Sequence, residues 1–169
     1  FTINNLKNFK VKTNNLENSF YIKILKERVA LLKQSKIEII NLDARNYKKI
    51  SKLFDRIKPN FIFHLAAVAH ANVSNKDPFS TFDNSLRTLE NSLDATRSLK
   101  KLKRFFYLSS SMLYGQFKGN SVNEKTLCEP LGIYGALKFA GEKMVIGYNQ
   151  VFKLPYTIIR PSALYGERC

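Results

Sequence analysis

A tyrosine and a lysine four positions apart, Tyr134 and Lys138, are the residues of this sequence best suited to acid–base chemistry. Side chains at positions i and i+4 lie on the same face of a helix, about one turn apart. A free phenol, with a pKa of about 10, is a poor base at neutral pH, but a neighbouring ammonium stabilises its phenolate. If this segment is helical, the pair can therefore supply a proton acceptor.

The same spacing occurs a second time, at Tyr114 and Lys118. In a chain with 8 tyrosines and many lysines, about one chance match is expected. Tyr114 follows a predicted strand in a glycine-flanked stretch that we predict to be non-helical, so its side chain need not face Lys118. Tyr134 instead opens a predicted helix, whose apolar side is formed by Leu137, Ala140, Met144 and Tyr148. We therefore favour Tyr134.

A proton acceptor of this kind works best beside a hydroxyl group that holds the substrate oxygen and relays its proton. Ser110 is the central residue of a serine triplet at the end of a predicted strand, upstream of Tyr134. A serine in such a place can equally bond the local backbone, which is the more frequent role of a lone serine. We predict Ser110 as the catalytic hydroxyl and keep the capping role as the alternative.

Predicted helices and strands alternate along the chain that carries these residues. Apolar residues at steps of three and four indicate helices at residues 21–34, 47–57, 78–102 and 132–152. Short β-branched or aromatic runs indicate strands at residues 37–42, 61–67, 104–110 and 156–160. Asp77 and Pro78 are a typical N-cap and first residue of the third helix. Residues 1–20 are polar and lack a period, so we predict a loop there.

The alternation is typical of right-handed β-α-β units, and it predicts an α/β fold with a doubly wound parallel sheet, Rossmann-like. The nearly continuous apolar run at residues 61–67 also fits a strand that is covered on both faces. In such sheets ligands bind outside the carboxyl ends of the strands. The sequence places at that edge Asp43, Ala66 and Ala67, the serines around Ser110, and the segment after Arg160.

The net charge of +15 raises the question of a nucleic-acid partner. The lysines are nevertheless scattered from Lys7 to Lys153 in short clusters, so we expect no nucleic-acid binding. No apolar run approaches the ~20 residues that a membrane-spanning helix needs, and we expect no membrane partner. Two cysteines, Cys128 and Cys169, are too few for a disulfide framework, which favours a cytoplasmic location.

Other kinds of active site find little support in the sequence. The only histidines are His64 and His70, and with no third ligand near them we expect no metal site. His64 lies within a predicted strand, where a hydrogen-bonded core residue is the more common interpretation. The chain has no G-x-S-x-G motif, and Cys128 has no histidine nearby, so nucleophilic serine or cysteine catalysis is not expected.

The order of these segments resembles the extended short-chain dehydrogenases/reductases, in particular the NAD-dependent nucleotide-sugar epimerases and dehydratases. Within that family the chain is most similar to the UDP-glucose 4-epimerases. The resemblance extends from about Tyr21 to Arg168. Besides the tyrosine and lysine, it rests on Asp43-Ala44-Arg45-Asn46, His64-Leu65-Ala66-Ala67, Asp77-Pro78 with Asn84 and Thr88, Ser109 to Gly115, and Arg160-Pro161 with Tyr165-Gly166.

The resemblance implies NAD as cofactor, bound along the carboxyl edge of the sheet. Asp43 and Ala44 would contact its adenine. Asn84 would bridge to the strand loops near the nicotinamide half, and Pro161 would pack by the nicotinamide. Small side chains would let the main chain approach the diphosphate and ribose at Leu65, Ala66 and Ala67. Without the resemblance, Asp43 could simply cap the following turn, and the two alanines could belong to the sheet core.

The resemblance assigns Tyr134, Lys138 and Ser110 to catalysis, with Lys138 also binding the nicotinamide ribose. The implied reaction is epimerisation of a nucleotide-linked sugar by transient oxidation and re-reduction at C4. Dehydratases of the family carry an Asp-Glu pair after the catalytic hydroxyl residue, whereas this chain has Ser111 and Met112, which cannot transfer those protons. A 4,6-dehydratase or keto-sugar reductase therefore ranks second. A non-catalytic module that binds NAD or nucleic acid is the alternative from another class.

The glycine-rich turn of the family, G-x-x-G-x-x-G, has no counterpart in the sequence, nor has its first β-α-β unit, and most of the substrate lobe would follow Cys169. We therefore expect residues 1–169 to be a partial NAD-binding Rossmann-like domain, truncated at both ends. Since that turn places a helix N-terminus against the diphosphate, the fragment alone should bind NAD poorly. An asparagine that often contacts substrate is replaced by Ala163. The resemblance also implies a homodimer that pairs the helices at residues 78–102 and 132–152.

Overall fold

The computed structural model describes residues 15–117, 119 and 121–166, and the chain divides into two units. The smaller unit includes residues 15–42 with residues 165 and 166. The larger unit, residues 43–164, contains every residue that the sequence predicts for the site. Lys118, which the rival tyrosine motif requires, lies outside the described residues, as do Arg168 and Cys169.

The smaller unit contains helix α1 (Asn15–Gln34), which begins six residues before the predicted start. The prediction of a loop is therefore wrong for residues 15–20, and residues 1–14 lie outside the described residues. Extending an existing helix forms one hydrogen bond per added residue, so polar residues can join it without an apolar period. The chain leaves the helix at Lys36, whose φ of 55° is left-handed.

The strand predicted at residues 37–42 is wrong, because this segment has no regular secondary structure. Ile37 and Ile39, which suggested a buried strand, are 52% and 41% exposed. A β-branched run becomes a strand only where a neighbouring strand accepts and donates its backbone hydrogen bonds. None of the described strands pairs with residues 37–42.

The larger unit is built on three parallel strands, which confirms the α/β class. Strands β1 (Phe61–His64), β2 (Arg104–Leu108) and β3 (Tyr156–Ile159) lie in the order β1-β2-β3. The register places His64 beside Tyr107 and Tyr107 beside Ile158. Each strand ends one to three residues before its predicted end, at residues 64, 108 and 159, because the chain there leaves the ladder for the loops of the carboxyl edge.

The helices of the larger unit largely follow the prediction. Helix α2 (Tyr47–Ile57) has the predicted bounds, with Asn46 as N-cap and Lys58 in the left-handed conformation after its end. Helix α6 (Gly132–Phe152) also has the predicted bounds. A short helix, α3 (Ala71–Lys76), was not predicted, since six residues are too few to show an apolar period.

The predicted long helix after Asp77 is irregular. It consists of α4 (Pro78–Phe82), a π-helical turn (Asp83–Arg87), α5 (Thr88–Ala95) and a 3₁₀ turn (Thr96–Ser98). Asp77 is the N-cap, as predicted, and accepts a hydrogen bond from Ser80 N at 3.0 Å. The prediction of helix for residues 99–102 is wrong, because the chain turns at Leu99 to enter β2.

Helices α5 and α6 cover one face of the sheet. The side chains that are wholly buried between them are Leu89, Leu93, Phe105 and Val145. On the opposite face Phe61 and Phe63 are 53% and 61% exposed. A doubly wound sheet has helices on both faces, and within residues 43–164 helices are seen on one face. Helix α6 of this layer carries Tyr134 and Lys138 of the predicted site.

Helix α6 lies close to β2 at Gly141. A Cβ added there would clash with the Tyr107 hydroxyl and lie 2.7 Å from Cζ of the same ring. We expect Gly141→Ala to lower the free energy of unfolding by ~1–3 kcal/mol through overpacking. Gly147→Ala on the same helix meets nothing within 4 Å and should raise it by up to about 1 kcal/mol through helix propensity. Urea unfolding of both variants checks this, and equal stability would contradict it.

Candidate functional site

Lys138 lies at the centre of the predicted site and is 8% exposed. Its Nζ donates to the carbonyl oxygen of Leu108, the last residue of β2, at 2.7 Å. The same ammonium lies 5.9 Å from the ring centre of Tyr134, one turn earlier on α6, and 5.5 Å from that of Tyr107. Burial lowers the pKa of Lys138 to about 8, because the charged form loses solvation. The structure thus brings a buried cation and the Tyr134 ring together at the carboxyl end of β2.

Ser110 lies two residues beyond the same strand and is also buried. Its Oγ accepts a hydrogen bond from Met112 N at 3.2 Å, so the capping role foreseen for a strand-end serine is present. Helix α6 packs close to this segment, since a Cβ added at Gly135 would lie 3.2 Å from the Met112 carbonyl oxygen. The chain neighbours of Ser110 and of Tyr134 are therefore in contact.

The segment that Ser110 caps is a 3₁₀ turn, Ser111–Tyr114. Tyr114 is the last residue of this turn, whereas residues 115–117, which lead toward Lys118, are non-helical as predicted. Tyr114 is buried, and its hydroxyl accepts a hydrogen bond from Arg160 Nη1 at 3.0 Å. This tyrosine thus has a structural partner other than a lysine.

Arg160 directly follows β3 and forms an ion pair whose carboxylate partner is nearly inaccessible to solvent. Its Nε and Nη2 donate to the two carboxylate oxygens of Glu142 at 2.8 and 2.7 Å. Glu142 is 2% exposed and lies one turn beyond Lys138 on α6. The hydrogen bonds to Glu142 raise the pKa of Arg160. Sequence reasoning missed this pair.

The loop after β1 is held by the irregular helix. Ser85 Oγ accepts a hydrogen bond from Val68 N at 3.2 Å, and Thr88 Oγ1 lies 3.1 Å from the Ala66 carbonyl oxygen. Ser85 belongs to the π-helical turn and Thr88 follows it directly, a placement common at functional sites. Leu65 and Ala66 remain exposed, and Ala67 is half-buried. The Nδ2 of Asn84, a residue expected to bridge to the strand loops, donates to Ser80 O at 2.7 Å.

The segment expected at the adenine lies at the start of the larger unit. Ala44 is tied to α5, because its carbonyl oxygen accepts from Asn91 Nδ2 at 2.9 Å. The Asp43 carboxylate is exposed and paired with Arg45, whose Nη2 lies 2.7 Å from Oδ2. The hydrogen bonds from Arg45 lower the pKa of Asp43 to about 2. Arg45 also reaches Asp83 at 3.2 Å, on the π-helical turn.

A cavity of about 550 Å³ opens beside the serine triplet. Its wall includes Ser111, Tyr114, Arg160 and Ser162, with apolar surface from Ile158 and Ile159. Pro161, expected near the nicotinamide, lies between two of these residues, and its carbonyl oxygen accepts from Ser111 N at 2.9 Å. The cavity therefore joins the carboxyl ends of β2 and β3.

His64 ends β1 and lies between Phe105 and Tyr107. It is buried and has a backbone hydrogen bond with Ala66, as expected of a hydrogen-bonded core residue, whereas its Nε2 has no hydrogen-bond partner within the described part of the chain. Burial, assisted by the positive charge of Lys138, lowers the pKa of His64 to about 4. The imidazole is therefore neutral at pH 7, beside a charged lysine.

This histidine should make the protein sensitive to acid. The pKa of His64 is about 4 in the folded protein and 6.5 ordinarily. Its contribution to the free energy of unfolding is therefore complete above pH 6.5 and is lost as the pH falls toward 4. We expect a loss of up to about 3 kcal/mol from this group. Urea unfolding at pH 5 and 7 should show a weaker pH dependence for His64→Phe, and an unaltered one for His70→Phe at an exposed position. Identical slopes in wild type and His64→Phe would contradict this.

No group of three metal-ligating side chains is found in residues 15–117, 119 and 121–166. In the same part of the chain, none of the helices combines the length and apolar character that crossing a membrane requires.

The chain is similar in sequence to known proteins. A family model for the NAD dependent epimerase/dehydratase family matches residues 10–168. UDP-glucuronate 4-epimerase 6 of Arabidopsis thaliana is 30% identical over 151 residues, which are 88% of this chain and 33% of that protein. dTDP-D-glucose 4,6-dehydratase of Dictyostelium discoideum is 30% identical over 130 residues, 70% of this chain and 30% of that protein. The chain thus spans about a third of the length of these relatives.

Solved structures agree in fold. UDP-glucuronic acid 4-epimerase from Bacillus cereus, in complex with NAD, aligns with a TM-score of 0.76 at 29% identity, over 88% of this chain and 46% of that one. UDP-glucose 4-epimerase from Thermotoga maritima aligns with a TM-score of 0.73 at 23% identity, over 76% of this chain and 42% of that one. Since the family model matches nearly the whole chain, this protein belongs to the NAD-dependent epimerase/dehydratase family.

Proposed function

We propose that the full-length protein is an NAD-dependent epimerase of a nucleotide-linked sugar, acting by oxidation and re-reduction at C4. The observation that carries the proposal is the buried Lys138 ammonium beside the Tyr134 ring, at the strand end that leads to Ser110. A relative called UDP-glucuronate 4-epimerase and a related epimerase in complex with NAD support the substrate class and the cofactor. The chain spans only about a third of such relatives, so the activity is proposed for the whole protein.

The donors and acceptors at this edge suit NAD. Among the described residues, Leu108 O is the single hydrogen-bond acceptor of the Lys138 ammonium, which leaves donors for ribose hydroxyls. Ser109 Oγ is buried and has no partner in the described part of the chain, so it too can bond a ligand. Leu65 and Ala66 are exposed, so a ligand can approach this loop. The contacts of Asp43, Ala44, Ala67, Asn84 and Pro161 with the cofactor stay predictions.

In the proposed mechanism Tyr134, as phenolate, takes the proton of the sugar C4 hydroxyl. Bound NAD would accept the hydride from C4 and later return it. Ser110 donates a hydrogen bond to the same sugar oxygen, and Lys138 stabilises the phenolate. In the return step Tyr134 gives its proton back to the carbonyl oxygen. Rotation of the keto-sugar between the two steps inverts the centre, and neither protons nor NAD are consumed.

We propose that the sugar lies beside Ser110 and Tyr134 and not in the cavity between the ends of β2 and β3, because the described lining of that cavity includes none of Ser110, Tyr134 and Lys138. Ser111 and Met112, which stand where family dehydratases have an acid and a base, are a hydroxyl and a thioether. These side chains cannot eliminate water, so epimerisation is favoured over dehydration.

Incubation of the full-length protein with UDP-glucuronate and with UDP-glucose, followed by chromatography of the sugars, tests the proposal. We expect C4 epimers to interconvert without net consumption of NAD. A 4-keto-6-deoxy product would indicate a dehydratase, and stoichiometric NAD(P)H consumption would indicate a reductase. Salt-sensitive binding to duplex DNA without sugar turnover would instead favour the non-catalytic binding module.

We also propose that the protein is a cytoplasmic homodimer. Large apolar side chains are exposed on the helices that would pair, with Phe79 of α4 at 87% and Val151 of α6 at 70%. The two cysteines favour a reducing compartment. Light scattering of the full-length protein and fractionation of the cells that produce it test these two statements, and a monomer would contradict the first.

A further inference from the structure

We propose that Glu142, Arg160 and Tyr114, here called the Arg160 network, are positioning residues that hold Ser110 in register with Tyr134. The inference rests on the proposed function, since it concerns the same site. None of the three residues is part of the Tyr134, Lys138 and Ser110 set. They connect the three elements on which that set depends, namely α6, the end of β3 and the 3₁₀ turn after β2.

The first connection fixes α6. Glu142 follows Lys138 by four residues and Tyr134 by eight, so the three side chains share one face of the helix. Both carboxylate oxygens of Glu142 receive hydrogen bonds from the fork of Arg160. A bidentate pair of this kind fixes orientation as well as distance. Rotation or sliding of α6 against β3 would break it, and would also displace Tyr134.

The second connection fixes the turn after β2. The third donor of Arg160, Nη1, reaches the Tyr114 hydroxyl at 3.0 Å, and the guanidinium lies 5.2 Å from the ring centre of Tyr114. Tyr114 is the last residue of the turn that Ser110 caps. A backbone hydrogen bond from Ser111 N to Pro161 O, at 2.9 Å, joins the same two segments. Arg160 thus connects the helix of the proposed base to the turn of the proposed hydroxyl.

A purely structural ion pair would explain the burial of Glu142 but not the third hydrogen bond. A buried pair of this type often adds little net stability, because desolvation offsets the attraction. The main effect of such a pair is then to fix the relative positions of the elements that it joins. A displacement of 1 Å at a catalytic group can lower the rate by about 10²-fold. The network should therefore affect turnover more than folding.

The experiment uses Tyr114→Phe in the full-length holoenzyme, because this change removes one hydroxyl and keeps the buried ring. We expect kcat to fall by about tenfold, with a similar melting temperature and a KM changed by less than about twofold. In a Ser110→Ala background the same change should lower kcat by less than about twofold, because the group being positioned is gone. Tyr156→Phe, at the amino end of β3, is the matched control and should leave kcat unchanged.

Arg160→Lys is the second variant, since it keeps the charge but loses the bidentate fork. It should reproduce the fall in kcat, whereas Glu90→Gln, which breaks the exposed pair with Arg87, should not. A folded Tyr114→Phe enzyme with wild-type kcat, or an equal fall in both backgrounds, would overturn the proposal alone. A wild-type protein without epimerase activity would overturn the proposed function and this inference with it.

Discussion

Replacing Tyr134 by phenylalanine in the full-length protein is expected to lower kcat by ~10²–10⁴-fold while leaving the fold intact. The variant keeps the half-buried ring beside Lys138 and loses only the oxygen that accepts the substrate proton. When hydride leaves C4, no base then accepts the proton of the C4 hydroxyl. The activation free energy of hydride transfer therefore rises by about 3–5 kcal/mol. Initial rates of C4 interconversion at saturating sugar measure the effect.

Two controls separate chemistry from structure. Tyr156→Phe makes the same change at the amino end of β3, away from the edge where ligands bind, and should retain wild-type turnover. Titration of Tyr134→Phe with NAD, followed by protein fluorescence, should give nearly the wild-type affinity, because the phenol oxygen is needed for proton transfer. If Tyr134→Phe turns over at the wild-type rate, the proposed mechanism is wrong.

The parts of the fold that the sequence predicts well are those with a local signal. Helix α6 has 21 residues, so its apolar period is long enough to define both ends. Asp77 and Pro78 mark a helix start through the chemistry of the cap itself. Residues 37–42 show the limit of such signals, because a β-branched run does not reveal whether a neighbouring strand will pair with it.

The site likewise contains some contacts that a local sequence signal predicts and others that it does not. The i and i+4 spacing of Tyr134 and Lys138 follows from a helix alone, and the structure brings the two side chains together. Glu142 and Arg160 are 18 residues apart on different elements, and neither has a neighbour in the sequence that marks it as a partner. The π-helical turn at Asp83–Arg87 is also invisible to a period of three and four, although it presents Ser85 to the loop after β1. Contacts of this kind depend on the packing of the whole unit.

Lys138→Met should separate stability from function more clearly than any other single change. Folding lowers the pKa of Lys138 from 10.5 to about 8, so a charged lysine is held in the folded protein below pH 8 at a cost of about 3 kcal/mol. Methionine has a similar length and no charge, and its main loss is the hydrogen bond to Leu108 O, worth about 1 kcal/mol. At pH 7 the cofactor-free variant should be more stable than wild type by ~1–3 kcal/mol and nearly inactive.

The pH dependence of the free energy of unfolding independently checks that the buried charge of Lys138 lowers wild-type stability. Between pH 8 and 10.5 the unfolded wild-type chain retains the proton that the folded protein has released, so wild-type stability should rise with pH in this window. Lys138→Met has no such proton, and its stability should change less over the same range. Lys143→Met, exposed on the same helix, should alter stability by less than about 0.5 kcal/mol. Urea unfolding of the three proteins measures these stabilities. If Lys138→Met is less stable than wild type at pH 7, the prediction is wrong. That result would show that contacts stabilise the buried charge, rather than that the charge is tolerated for catalysis.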